Sequence, residues 1–358
     1  MRIGGAGRVV LGVLALSVLG MLGFLFRGLF DPNRLPPSDW RLFQKRFITA
    51  DGRVVDTGNG NVSHSEGQAY AMLFAVAYRD RAAFDRIWAW TRKNLQVRPG
   101  DKLLSWQWRP DYQGGGAVAD PNNASDGDLL AAWALLRAFR VWQNFEHQQA
   151  ALQILADLAR LDVRQGTDGL VLLPGTDGFV KPEGTTLNLS YYVFPALQEV
   201  AAAVPGGPWD KLAKSGLALL AKARFGEWQL TPDWILDGDP LVPAPGFPPL
   251  FGYNAIRIPL HLGWQNLRSE LMQPFAQFWR KCREKNTFPA TVDVVTNAWG
   301  ADPALPGMRA VADFAIACAE KQSLTVRSLP VLTEEEAYYS ASLNLLTKLA
   351  IRELSAQP

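Results

Sequence analysis

The sequence predicts an all-α chain in which hairpins of helices stand in a ring. Three observations carry this. Apolar helical periodicity recurs in segments of similar length from about residue 66 to residue 349, the segments are parted by Gly- and Pro-rich loops, and strands do not alternate with them as a βαβ sheet would require.

The helical segments, in order, are 66–78, 82–94, 128–142, 149–161, 209–224, 255–265, 273–285, 308–319 and 334–349. In the third, Leu129, Leu130, Trp133, Leu136 and Phe139 follow helical spacing and mark one buried face. Short strands are expected at 53–56, 169–173 and 179–181, and Leu104 to Arg109 reads as extended. No sequence repeat imposes a solenoid. With 358 residues, 48% of them hydrophobic, the chain can bury one large core, and no linker divides it.

Composition narrows the function. A formal net charge of +2 and the lack of any basic run interleaved with aromatics call for no nucleic-acid partner. The 13 Trp, 8 Tyr and 18 Phe offer flat apolar faces, which stack on sugar rings as readily as on one another. His64, His147 and His261 are scattered and no Cys/His spacing suits zinc, so neither metal nor cofactor is expected. Cys282 and Cys318 fit either a disulfide or two buried thiols. No Gly-x-Ser-x-Gly elbow or phosphate-binding Gly-rich loop is present.

Residues 1–30 form a separate N-terminal unit. Arg2 and Arg8 precede an apolar run over residues 9–26 that ends in Phe24-Leu25-Phe26-Arg27 without a clear cleavage site. Eighteen apolar residues are near the minimum for a membrane span. An uncleaved signal anchor is favoured over a cleaved signal peptide, with residues 31–358 exported to the periplasm or beyond the cell.

Two motifs carry the chemistry. His64-Ser65-Glu66-Gly67-Gln68-Ala69-Tyr70 and Ala124-Ser125-Asp126-Gly127-Asp128 each set carboxylates at the start of a helix. Capping boxes, Ser65 with Gln68 and Ser125 with Asp128, would explain them equally well. Gly67 and Gly127 weigh against that explanation, because Gly in a first helical turn costs about 1 kcal/mol relative to Ala. Close approach of a ligand or a neighbouring helix is the expected reason for them.

From these motifs outward the chain resembles glycoside hydrolase family 8, in particular the periplasmic endoglucanases that accompany bacterial cellulose synthases. The likeness runs through Phe43 to Ile48, Asp51 to Asp56, Ser65 to Tyr70, Trp106-Gln107-Trp108, Ala124 to Asp128, Asn188 to Tyr191, Pro232-Asp233-Trp234, Tyr253 to Arg257 and Ala337-Tyr338-Tyr339. The resemblance implies an (α/α)6 barrel with short strands in its loops, a cleft for a β-1,4-linked glucan, and hydrolysis with inversion. It makes Glu66 the proton donor and Asp126 its partner at the cleavage point, a positioning residue because an inverting enzyme forms no covalent intermediate. It makes Trp106, Trp108, Asp128, Tyr191, Tyr253, Asn254 and Arg257 substrate-binding residues, with Trp106 and Trp108 on one face of an extended segment and Trp234 a further stacking candidate. Arg257 lies three residues after Asn254 on a helix and is placed to orient it.

One position departs from the pattern. Where many members carry an aspartate that activates water, this chain has Asn254. An amide cannot take the proton, so another carboxylate is expected to do so: Asp237 or Asp239 from the preceding loop, or Asp126 itself. The alternatives are a chain that binds glucan without cleaving it, as an accessory of a polysaccharide synthase or as a substrate-trapping Asn form, and a family member acting on chitosan, xylan or mixed-linkage glucan.

Overall fold

The computed structural model describes residues 31–111, 113–267 and 270–357, so the N-terminal apolar run lies outside the described residues. Eleven α-helices fall within the described part: α1 (Pro37–Phe47), α2 (Ser65–Ala77), α3 (Arg81–Asn94), α4 (Ser125–Trp142), α5 (Phe145–Leu161), α6 (Phe194–Ala203), α7 (Trp209–Lys222), α8 (Arg257–Trp264), α9 (Gln273–Glu284), α10 (Pro306–Glu320) and α11 (Tyr338–Ser355). Helices α2, α4, α6, α8, α10 and α11 pack in succession around an axis, and α11 closes the ring on α2. Helices α3, α5, α7 and α9 stand outside between them, with α1 against α11. The arrangement is an (α/α)6 barrel.

Burial separates the two rings. All eight residues of α8 and every residue from Gly67 to Val76 in α2 are buried, as expected of helices enclosed on all sides. The outer α9 buries one face, with Phe275, Phe278, Trp279 and Cys282 at helical spacing and Pro274 and Ala276 beside them in its first turn. Four helices begin with Pro at N1 or N2, Pro37 in α1, Pro195 in α6, Pro274 in α9 and Pro306 in α10, where the missing N–H costs nothing.

The inner helices run parallel. Gly307 N, at the start of α10, donates to Ser340 Oγ at the start of α11 over 2.9 Å. A Cβ at Gly127, at the start of α4, would lie 2.9 Å from Glu66 N at the start of α2. All their N-termini therefore gather at one end, the cleft end, and their C-termini at the other, the base.

Strands are confined to the connections. At the cleft end β1 (Ser63–His64), β2 (Ser105–Pro110) and β3 (Gly116–Asn123) form an antiparallel sheet. β4 (Val163–Gly166) pairs with β5 (Gly169–Leu172). β6 (Val180–Lys181), β7 (Gly184–Leu187), β8 (Ile235–Asp237) and β9 (Val242–Pro243) make a second sheet, and β10 (Leu250–Phe251) pairs with β11 (Val292–Asp293).

Several expectations need correction. α1 and α6 are absent from the helices read off the sequence, because each opens on a Pro inside a stretch read as a loop. The last helix begins at Tyr338 rather than residue 334, since Glu334 and Glu335 belong to an exposed loop. Residues 53–56 make only isolated bridges, through Val54 and Asp56. Cys282 and Cys318 are both thiols.

Candidate active site

The helix-start motifs are not capping boxes. His64, not Ser65, caps α2, its Nδ1 accepting from Gly67 N at 3.0 Å. Ser65 and Ser125 lie inside their helices, and Ser125 Oγ donates to Leu173 O at 2.6 Å. The glycines serve helix contact. A Cβ at Gly67 would come within 2.7 Å of Tyr338 OH, and one at Gly127 would strike the Ser65 side chain. Only Gly lets the starts of α2, α4 and α11 close on one another, which delivers Glu66 and Asp126 to the same place.

That place is a cavity of about 230 Å3 at the cleft end. Glu66, Asp126, Trp106, Tyr191, Tyr253, Asn254 and Arg257, seven of the residues expected from the sequence, line it. So do Asp56, Asn59, His64 and Tyr339, which were not assigned to the site from the sequence. Asp56, His64 and Tyr339 stand in the motif stretches themselves, and polar residues flanking a sharp motif were the available signal.

Arg257 organises the cavity. Its guanidinium, 2% exposed, donates from Nη1 to Glu66 Oε2, to Asp126 Oδ2 at 3.0 Å and to Tyr70 OH at 3.2 Å. From Nη2 it donates to Ser190 Oγ at 3.0 Å and Asn254 Oδ1 at 2.8 Å. The expected link between Arg257 and Asn254 is therefore present. A buried cation is tolerable here because two carboxylates and a fork of polar acceptors replace its water.

Asp126 is raised from the ordinary carboxylate range to about 7, first by burial and then by the charge of Glu66, to which it is hydrogen-bonded, against the opposing pull of Arg257. Two acids so close share protons as a pair. Burial also holds the Tyr70, Tyr191 and Tyr339 phenols well above their usual range, so they act as neutral groups.

Asn254 is fixed from behind. Asp233 Oδ1 accepts from the backbone N–H groups of Gly252, Asn254 and Ala255 at 3.2, 3.1 and 2.7 Å, pinning the turn that leads into α8. His64 Nε2 lies 3.3 Å from Asp56 Oδ2. Since Nδ1 accepts from Gly67, Nε2 carries the proton and donates to Asp56.

Five residues expected from the sequence fall outside the cavity. Asp128 is wholly buried, accepting from Leu104 N at 2.7 Å and Asn123 Nδ2 at 2.9 Å, and no oxygen remains for a ligand. Trp108 does not share a face with Trp106, because register shifts at Ser105/Gln107 and Gln107/Trp108 break the alternation of β2. It packs edge-on against Trp90 at 5.5 Å with the Arg53 guanidinium 4.9 Å above it. Asp237 is buried in β8, accepting from Thr167 N at 3.0 Å, and Asp239 sits in the following turn before Pro240. Neither swings over the cleft. Trp234 is stacked between Phe179 and Phe247, with centroids 5.9 and 4.6 Å away, and backs Tyr191 rather than facing the cavity. Among the described residues no cluster of His, Cys, Asp and Glu is arranged to hold a metal.

A barrel with an acid pair at the joined starts of two inner helices invites comparison with known hydrolases. The model of the glycosyl hydrolases family 8 matches residues 30–353. The chain belongs to glycosyl hydrolase family 8. A probable endoglucanase of Novacetimonas hansenii is 40% identical to this family 8 chain over 320 residues, covering 88% of it and 91% of the relative. An endoglucanase of Cellulomonas uda is 37% identical, covering 83% of each. Among solved structures, the endo-β-1,4-glucanase CMCax of Acetobacter xylinum superposes with a TM-score of 0.81 at 38% identity, over 89% of this chain and 98% of that one. The family 8 endoglucanase of Klebsiella pneumoniae gives 0.80 at 38% identity, over 88% and 99%. The chain is a glycoside hydrolase with the fold of these enzymes.

Proposed function

We propose that the protein is an endo-β-1,4-glucanase that cleaves internal bonds of cellulose or a closely related β-glucan with inversion. The observation that carries this is the meeting of Glu66 and Asp126, from separate helix starts, on one buried guanidinium in a cavity walled by Trp106, Tyr191 and Tyr253. The likeness to endoglucanases over most of the chain supports the same substrate class.

In this reading Glu66 delivers the proton to the leaving oxygen. Asp126, through its shared proton and Arg257, keeps that proton available near neutral pH and holds the sugar at the cleavage point. Tyr191 and the Asn254 amide bind the attacking water without deprotonating it. The proton acceptor is Asp56, the third carboxylate lining the cavity, which is held by its bond from His64. Asp126 is less suited, because a hydrogen bond to Glu66 leaves no room for the water that an inverting pair admits between carboxyls about 6.5–9.5 Å apart. A retaining route through a covalent glycosyl-enzyme has no nucleophile to serve it in this scheme, and the product sugar emerges as the α-anomer.

The test is reducing-end release from carboxymethylcellulose, with lichenan, xylan and chitosan alongside and the product anomer followed by NMR. Glu66→Gln abolishes turnover while the fold is kept; a substantial residual rate overturns the assignment. Asp56→Ala lowers the rate by several orders of magnitude, and azide restores bond cleavage with formation of an α-glycosyl azide. Absence of that product removes Asp56 from the role. We further propose that the apolar run over residues 9–26 anchors the exported body to the inner membrane, where it would serve a cellulose synthase machinery.

A further inference from the structure

The turn over residues 57–61 reaches the wall of the cavity through Asn59, three residues after Asp56. Its two ends are fastened. Asp56 N donates to Val62 O at 2.8 Å, Asp56 Oδ1 accepts from Gly58 N at 3.0 Å, and Arg53 Nη1 donates to Asn61 O at 3.0 Å. The tip is free. Asn59 and Gly60 are exposed, and neither the Asn59 side-chain amide nor the Gly60 N–H has a hydrogen-bond partner among the described residues.

Asn59-Gly60 is the single Asn-Gly pair of the sequence, and every other Asn precedes a residue that carries a side chain. This matters chemically. A backbone nitrogen can attack the side-chain carbonyl of the preceding Asn and close a cyclic imide, a reaction hindered by a Cβ on the attacking residue and by hydrogen bonds that hold either group. Both restraints are missing at this tip. Nothing lies within 4 Å of the place where a Cβ on Gly60 would stand, so the chain also has room to turn.

We propose that Asn59-Gly60 is a self-modification site, through which the folded enzyme converts Asn59 to aspartate and isoaspartate and so adds a carboxylate to its own active-site cavity. The Gly60 nitrogen bonds to Asn59 Cγ, the Cγ–Nδ2 bond breaks, and the proton lost by Gly60 leaves with Nδ2 as ammonia. Water then opens the imide. Attack at one carbonyl gives aspartate, whereas attack at the other routes the backbone through the former side chain and lengthens it by one atom. One water enters for each ammonia released. The new charge joins Asp56, Glu66 and Asp126 in a cavity whose buried guanidinium, Arg257, is already engaged by the last two. An isoaspartate also displaces the turn that follows Asp56. Both changes lower turnover, a consequence that rests on the reading of this cavity as the site of glucan hydrolysis; the modification itself does not.

The experiment ages the purified full chain at 37 °C and pH 8 and follows released ammonia, the mass of the peptide that holds Asn59, and isoaspartate by enzymatic methylation. The expected result is a gain of about 1 Da at Asn59 with an equal amount of ammonia. Turnover of carboxymethylcellulose falls with the modified fraction, and the modified chain, separated by anion exchange, is at least about tenfold slower than the parent. Hydroxylamine added to the folded protein traps the imide and cuts the chain after Asn59. Gly60→Ala slows the modification at least about tenfold and preserves the activity of the aged protein. Asn59→Asp is slow from the start. Conversion that occurs only in denaturing urea, or that is as fast at Asn61 as at Asn59, overturns the site, and a modified chain with parental turnover overturns its effect on the cavity. A parent without turnover before ageing refutes the glucanase reading instead, while mass and ammonia still decide the modification.

Discussion

Two buried carboxylate clusters lie within a few residues of each other in sequence and serve opposite ends. Asp126 and Glu66 share a guanidinium and face a cavity. Asp128, two positions on, joins Asp162 through Asn123, whose Nδ2 donates to both at 2.9 and 2.6 Å, and Thr176 Oγ1 donates to Asp162 at 3.1 Å. Each cluster holds a carboxyl raised by burial, Asp126 to about 7 in the first and Asp162 to about 6 in the second, where Asp128 is also well above the usual range. A raised carboxyl is therefore not in itself a sign of catalysis. What differs is the partner. The first cluster keeps a cation and an open side, so its proton can leave toward a ligand; the second is closed by neutral donors and ties α4 to the segment before β2, the end of β3 and the loop after β5.

The sharpest way to break this contrast is to remove the cation. Arg257→Ala should lower turnover of soluble glucan at least about a thousandfold, beyond the loss usual for one transition-state donor, because Glu66, Asp126 and Asn254 all lose their common partner. Arg257→Lys should rescue little, since an ammonium cannot fork to five acceptors. A rate within tenfold of the parent would mean that the guanidinium is merely structural.

In the second cluster the effect should move from rate to stability. Asp128→Ala leaves Leu104 N and one of the two Asn123 Nδ2 protons without an acceptor, at about 1–3 kcal/mol for each buried donor. Urea denaturation should show a loss of roughly that size, while turnover per folded molecule stays within a few-fold of the parent. A collapse of the rate at unchanged stability would restore Asp128 to the substrate site.

The smallest effects are in pH. The Glu66–Asp126 pair must keep a proton to donate, so kcat/KM should fall as pH rises through about 7, and Asp128→Ala should leave that limb in place. Stability follows the same sign. Folded-state values raised above the ordinary carboxylate value of about 3.9 favour folding fully below it, and that contribution is lost as pH rises through about 6 for Asp162 and about 7 for Asp126. Asp162→Asn should flatten the lower part of the stability profile, measured as the urea midpoint between pH 4 and pH 8.

Much of this was legible in the chain. Helical periodicity marked nine of the helices, and the first-turn glycines at 67 and 127 signalled close approach before any contact was known. The spacing of Asn254 and Arg257 foretold their bond because an i, i+3 pair on a helix start needs no information from elsewhere. Trp108 misled because alternation fails at a bulge, which local sequence does not announce. Asp237 and Asp239 misled because a loop's reach depends on what it pairs with, and β8 is held in a sheet.

The sequence alone determined the helical class, the family and the two motifs that supply Glu66 and Asp126, since these depend on residue type and short-range spacing. Only the tertiary structure decided which carboxylates share a cavity. Asp126 and Asp128 are chemically alike and two residues apart in the first turn of α4, yet an i, i+2 step around the helix points them to different neighbours, one toward Arg257 and one toward Asn123. Burial and the charge of the partner then fix whether a proton is free to be given away, and both belong to the packing of distant segments.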